Sequence, residues 1–169
     1  MRTARRAGLV LAVGTVIALQ PIAGFAVSMV GPTGTVSGWT LSSSGTSQIS
    51  GGTLTVSSLL SSYTVTVQGD KAKMSEYSSG AYVTGGKTLS NALHVITSRT
   101  GGSGVSCNGQ GTNATVSTTA TTVASGPGGL LCSDIYSVTL SQATSITDSA
   151  LATGHTYHIV LTYTLSGGL

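Results

Sequence analysis

Charge is scarce in this chain of 169 residues: lysine, arginine, aspartate and glutamate together make up 7% of it, and aromatic residues 5%. A phosphate-binding surface needs clustered Lys and Arg, and no such cluster exists beyond residue 26. The formal net charge of +3 is the contribution of Arg2, Arg5 and Arg6. From Val27 onward Lys71, Lys73, Lys87 and Arg99 are matched by Asp70, Glu76, Asp134 and Asp148. No nucleic acid is therefore expected as a partner.

Metal-ligating and catalytic residues are equally thin. Two cysteines without a CxxC spacing supply too few ligands for a closed tetrahedral zinc site. His155 and His158, three apart on a strand, face opposite ways and do not share a metal. No nucleophile elbow is present, and nothing in the spacing of the four carboxylates requires two of them in one cleft. The sequence thus predicts no enzyme, no catalytic residue, no metal and no cofactor. Long apolar runs are missing as well. No segment after residue 26 approaches the roughly 20 residues of a bilayer-spanning helix, so the mature chain is expected to have no integral membrane segment.

What the chain does have is small residues: 24 glycines, with serine and threonine together making up close to a third of the chain. At the N-terminus, basic residues 1–6, an apolar stretch from Ala7 to Leu19, Pro21 and the small residues Gly24 and Ala26 form the pattern of a secretory signal peptide. Residues 1–26 are read as that signal and 27–169 as a single domain, secreted to the extracellular space or the cell surface. In an oxidising compartment Cys107 and Cys132, each in a Gly-rich stretch, are expected to form a disulfide.

The mature chain alternates with period two. Thr53–Val56, Tyr63–Val67 and Tyr157–Leu165 place apolar or aromatic side chains at every second position, the mark of strands with one buried face. Thr35–Leu41, Thr88–Ile96, Asn113–Val123 and Ile135–Leu140 are further strands between Gly, Ser, Asn and Asp clusters. About seven or eight strands without an amphipathic helix predict an all-β, antiparallel Greek-key β-sandwich, Ig-like or jelly-roll. A closed barrel is the alternative. Asp70–Tyr77 leans to helix by propensity and reads as a decorated loop.

Several residues stand out within that frame. Trp39, the single tryptophan, reads as a core anchor or, if exposed beside Tyr77 or Tyr82, as a ligand contact for sugar rings. The charged stretch from Gly69 to Lys87, which holds both tyrosines, is a solvated loop or a contact surface. Asn113-Ala114-Thr115 is an N-glycosylation sequon. In the last strand Tyr157, Ile159, Leu161, Tyr163 and Leu165 share one face, so it either completes its own sheet or inserts into a neighbour. The segment Val27–Val36, with Met29 and Val30, is the second candidate for strand exchange.

Trp39-Thr40-Leu41, Gly52-Thr53-Leu54-Thr55-Val56, Tyr63-Thr64-Val65-Thr66-Val67, Leu89-Ser90-Asn91-Ala92-Leu93 and the closing strand Tyr157–Leu165 together resemble secreted β-sandwich modules of prokaryotic surface proteins. These are the WxL-like surface proteins and the pilin-like or TasA-like subunits of strand-exchange filaments. Trp39-Thr40-Leu41 matches the WxL pattern a single time, against the paired motifs of wall-binding members. The resemblance implies a structural or adhesive role outside the cell. The expected function is an extracellular subunit that self-assembles by β-strand donation into a filament, pilus or coat, its main partner being further copies of itself. The alternative is a monomeric adhesin or carbohydrate-binding module with a surface glycan or protein as partner.

Overall fold

The computed structural model describes residues 27–31, 34–39, 41 and 44–168. The expected signal peptide lies outside the described residues, as does Thr40 of the Trp39–Leu41 motif. Twelve strands and no helix are found among the described residues: β1 (Val27–Val30), β2 (Gly34–Ser37), β3 (Gly45–Ser58), β4 (Ser62–Gly69), β5 (Ser75–Ser78), β6 (Ala81–Tyr82), β7 (Leu93–Val105), β8 (Gln110–Gly111), β9 (Asn113–Thr115), β10 (Thr121–Gly126), β11 (Leu130–Thr144) and β12 (Thr156–Gly168). They form two antiparallel sheets. The five-stranded sheet has the order β1-β3-β11-β7-β9, and the seven-stranded sheet the order β6-β5-β12-β4-β10-β8, with β2 on the free side of β12. The late strands β11 and β12 are inserted between earlier ones, which gives the sandwich its Greek-key character.

Alternation explains the layering. Leu54 and Val56 on β3, Val65 and Val67 on β4, Leu93 and Val95 on β7, Tyr136 and Val138 on β11, and Ile159 and Leu161 on β12 all point between the sheets and are buried. The intervening positions of the five-stranded sheet are mostly hydroxyls. The register sets Ser28, Ser57, Ser133 and Ser103 in one row across four strands, and Thr53, Ser137 and Ser98 in another. Serine and threonine therefore take the outward positions where most sandwiches carry charge.

Three strand expectations differ from the structure. β3 and β7 extend through Gly51-Gly52 and Gly101-Gly102, beyond the expected strands Thr53–Val56 and Thr88–Ile96. A Cβ on Gly51 would come within 2.9 Å of Val138 Cγ1, beside the bulge at Val138/Thr139, so glycine there serves a close approach within a strand. The predicted strand Asn113–Val123 is broken into β9 and β10, which belong to different sheets. The charged stretch from Gly69 to Lys87, read as a loop with helical propensity over Asp70–Tyr77, instead carries β5 and β6, a short hairpin at the edge of the seven-stranded sheet. Pairing with β12 overrides local propensity there.

The edges of both sheets are short. β1 and β2 have 4 residues each, β9 has 3, and β6 and β8 have 2.

Candidate functional site

The N-terminal arm is built from two edge strands that belong to different sheets. β1 lies along β3, with Met29 opposite Val56 and Val27 opposite Ser58. β2 lies along β12, with Val36 opposite Ile159 and Gly34 opposite Leu161. The chain therefore passes from one sheet to the other between Val30 and Gly34. Alternation puts Val27 and Met29 half-buried against the core and exposes Ser28 and Val30, while Val36 is buried. The arm crosses the core closely: a Cβ on Gly31 would stand 2.8 Å from Leu54 Cδ1. It covers only part of each long edge. Among the described residues no strand pairs with the arm's side of β3 from Gln48 to Leu54, or with the β2 side of β12 from Thr162 to Gly168.

The other exchange candidate sits differently. Ile159, Leu161 and Tyr163 are buried and Tyr157 is half-buried. β12 has β4 and β5 along one side and β2 along part of the other, so it completes its own sheet.

The charged segment between β4 and β7 folds onto the outer face of β12. Asp70 accepts the Val160 N–H at 2.8 Å and the Tyr82 hydroxyl at 2.6 Å, and Lys71 Nζ sits 4.9 Å from the centre of the Tyr82 ring. Tyr77 stacks on His158 with ring centres 3.9 Å apart and planes 12° apart, and Tyr82 meets Tyr77 edge-on at 5.4 Å. Glu76 accepts the Lys87 N–H at 2.8 Å and lies 2.6 Å from His155 Nδ1. The Lys87 N–H first, then His155, hold its carboxyl below the usual carboxylate range. Asp148 accepts from the backbone N–H and hydroxyl of Ser90 and from the Ser145 N–H. Burial works against its ionised form, and these hydrogen bonds outweigh burial to leave its pKa lowered. Each of these three carboxylates thus pins a loop.

The proposed sugar contacts come together only in part. Tyr77 and Tyr82 are neighbours, but a face of Tyr77 is taken up by His158. Trp39 is half-buried against the core, and among the described residues no ring contact joins it to either tyrosine. Asn113 of the sequon is exposed on β9, within 3.0 Å of His94 Nδ1.

His158 was not legible as a buried group, since strand alternation aims it away from the core; the β5–β6 hairpin covers it. It is 6% exposed and its Nδ1 has no hydrogen-bond partner. Burial lowers its pKa from the ordinary value near 6.5, against a smaller opposing pull from Asp70. A lowered folded-state pKa means the unfolded chain binds more protons just below that value. The contribution is complete above about pH 6.5 and is lost as the pH falls toward the folded pKa. Thermal melts between pH 7.5 and 5 should therefore show falling stability. His158→Phe, which keeps a ring for Tyr77, should flatten the pH 5–6.5 part of that profile, and an unchanged slope would assign it elsewhere.

The fourth carboxylate is in the core. Asp134, 0% exposed, shares the inner face of β11 with Tyr136. Tyr63 donates its hydroxyl to Asp134 at 2.6 Å and lies 2.5 Å from the Tyr136 hydroxyl, while Arg99 Nε reaches Asp134 at 2.5 Å. Burial, then hydrogen bonding to Asp134, pushes the Tyr63 hydroxyl well above its ordinary pKa. Gly109 closes the cluster, because a Cβ there would overlap both tyrosine hydroxyls, at 2.0 and 2.2 Å. Next to it, Cys107 and Cys132 are at disulfide distance with Cα atoms 5.4 Å apart. The signal for this cluster was present in the sequence: Asp134 falls in phase with Tyr136, Val138 and Leu140, an inward position.

Among the described residues no three of His, Cys, Asp and Glu are grouped to hold a metal ion, and no helix is long and apolar enough to cross a membrane. No protein-family model matches the chain, and no curated protein or solved structure matches it either.

Proposed function

We propose that this chain is a secreted, extracellular structural subunit that assembles with copies of itself by exchanging its N-terminal arm. The observation that carries the reading is the division of residues 27–37 between two sheet edges, each sealed by a strand of 4 residues. An arm held in this way has three inward side chains, Val27, Met29 and Val36. The same contacts form whether the arm lies on its own sandwich or on a neighbour's, so exchange costs little beyond the lost proximity of an intramolecular arm. The lengths of β3 from Gln48 to Leu54 and of β12 from Thr162 to Gly168, along which no described strand pairs on the arm's side, offer backbone donors and acceptors for a strand added from outside. The engagement of all four carboxylates in loop pins and a core cluster also fits a structural role, as does the resemblance to strand-exchange filament subunits.

Deletion of Val27–Val36 tests the proposal. The shortened chain should remain folded by circular dichroism and lose filaments or oligomers in electron microscopy and light scattering. A synthetic peptide of residues 27–37 should bind it and restore the stability of the intact fold. Polymers that persist in the deletion variant, or an intact chain that stays monomeric at every concentration, would overturn arm exchange.

A further inference from the structure

The described charges outside the core gather at one end of the sandwich, together with a single exposed aliphatic residue, Ile146, whereas four exposed aliphatic residues cluster at the other end. Asp70, Lys71, Lys73, Glu76, Lys87 and Asp148 all fall in the segments that link β4 to β7 and β11 to β12, and Arg99 and Asp134 pair with each other. The opposite end consists of residues 59–62, 102–109 and 126–132, and none of these is charged. It displays Leu60, Val105, Leu130 and Leu131 at 58%, 65%, 51% and 71% exposure. The four are neighbours: Leu130 is the register partner of Val105, the Leu60 N–H donates to the Gly129 carbonyl at 3.0 Å, and a Cβ on Gly104 would stand 2.4 Å from the Leu131 carbonyl oxygen.

The backbone at this end contradicts its side chains. Leu60 and Leu131 have φ of 55° and 53°, in the left-handed region where glycine and asparagine are at ease and a leucine is strained. Both side chains face water, which also favours a polar residue. Local conformation and solvent exposure therefore both argue against leucine, twice at one place. Such conflicts between local preference and sequence concentrate where a surface has work outside the fold. The Cys107–Cys132 link holds this end together, joining the loop after β7 to the residue that follows Leu131.

The chain outside the described residues indicates the occupant. Residues 1–26, with the apolar stretch Ala7–Leu19, join the fold at Val27, which pairs with Ser58; Ser58 in turn pairs with Cys132. The join is thus at the apolar end, so the apolar stretch Ala7–Leu19 is tethered beside these four aliphatic side chains. A second copy is a poorer fit, because four aliphatic side chains fall well short of the roughly 1,200 Å² that a stable protein interface buries.

We propose that this end is a lipid-contact tip, with Leu60, Val105, Leu130 and Leu131 seated at the boundary between headgroups and acyl chains of a bilayer. Arg99, whose Nη2 donates to the Cys107 carbonyl at the tip, is neutralised by its pairing with Asp134, so lipid binding does not depend on anionic headgroups or on salt. This inference rests on the secretory reading of residues 1–26 and on the β1–β3 pairing, but does not require that the arm be exchanged.

Leu60→Asn/Leu131→Asn is the test variant, because asparagine suits the left-handed backbone and keeps the fold. Wild type and variant, shown by intact mass to begin at the same residue, are sedimented with phosphatidylcholine vesicles, with and without phosphatidylglycerol. The expected result is binding by the wild type to both vesicle types, unaffected by 0.5 M salt. The variant is expected to melt at the same temperature or higher and to bind about tenfold less or weaker. Absence of wild-type binding, equal binding by the two proteins, or binding only to the anionic vesicles would overturn the tip. So would light scattering in which the wild type forms dimers that the variant does not, without either binding vesicles, since the apolar end would then meet a second copy.

Discussion

Alanine in place of Asp134 is expected to lower the free energy of unfolding by about 3–5 kcal/mol, the usual cost of breaking a buried ion pair from one side. Two groups lose Asp134 as a partner at once. The Tyr63 hydroxyl remains in the core with only the Tyr136 hydroxyl beside it, and the Arg99 guanidinium is left beside an apolar side chain. Asp134→Asn keeps the shape and part of the hydrogen bonding, so it should cost less than alanine. Tyr63→Phe, which removes one buried hydroxyl partner, should cost about 1–3 kcal/mol. Urea denaturation of the three variants gives the ranking directly. A loss for Asp134→Ala below about 1 kcal/mol would mean that the cluster is not a structural unit.

Loss of the cysteine link is the other large effect. Its two cysteines are separated by 25 residues in sequence, and closing a loop of that length restricts the unfolded chain by about 3 kcal/mol. For a domain of this size that corresponds to roughly 6–12 °C in Tm. Cys107→Ala/Cys132→Ala should therefore melt lower by that amount, and reductant should lower the wild type but leave the variant unchanged. Because Cys132 Sγ is 3.6 Å from Asp134 Oδ2, the two losses should not add when Asp134→Ala is combined with the cysteine variant. A double-mutant cycle measures the coupling. Additive losses would show that the link and the cluster stabilise the fold separately.

The strands with strict alternation were readable from sequence because one face of each is buried. Tyr157–Leu165 is the clearest case: the segment makes up most of β12, and its Ile159, Leu161 and Tyr163 point into the core. Where glycine or charge interrupts the pattern, tertiary pairing decided the outcome. Gly101-Gly102 lies inside β7 because β11 pairs alongside it, and no local rule distinguishes that from a loop. The β5–β6 hairpin depends on β12 in the same way. The candidate arm was legible as a segment, since Val27–Val36 joins short apolar stretches through Pro32 and Gly34, but its split between two sheets is a property of the assembled sandwich. The Asp134 cluster required knowing that Tyr63, on a strand 71 residues away, faces the same interior.

Arm exchange makes a prediction about connectivity that one measurement reads. Ser28 on β1 and Ser57 on β3 are register partners on the outer face, and antiparallel partners have Cα atoms about 4.5–5.5 Å apart, within reach of a disulfide. The variant Ser28→Cys/Ser57→Cys, oxidised at high protein concentration and run on a denaturing gel without reductant, reports whether each arm lies on its own sandwich or on a neighbour's. The account predicts a ladder of covalent dimers, trimers and longer chains that collapses to monomer on reduction. A single band of internally linked monomer, at a concentration where the wild type is assembled, would contradict it.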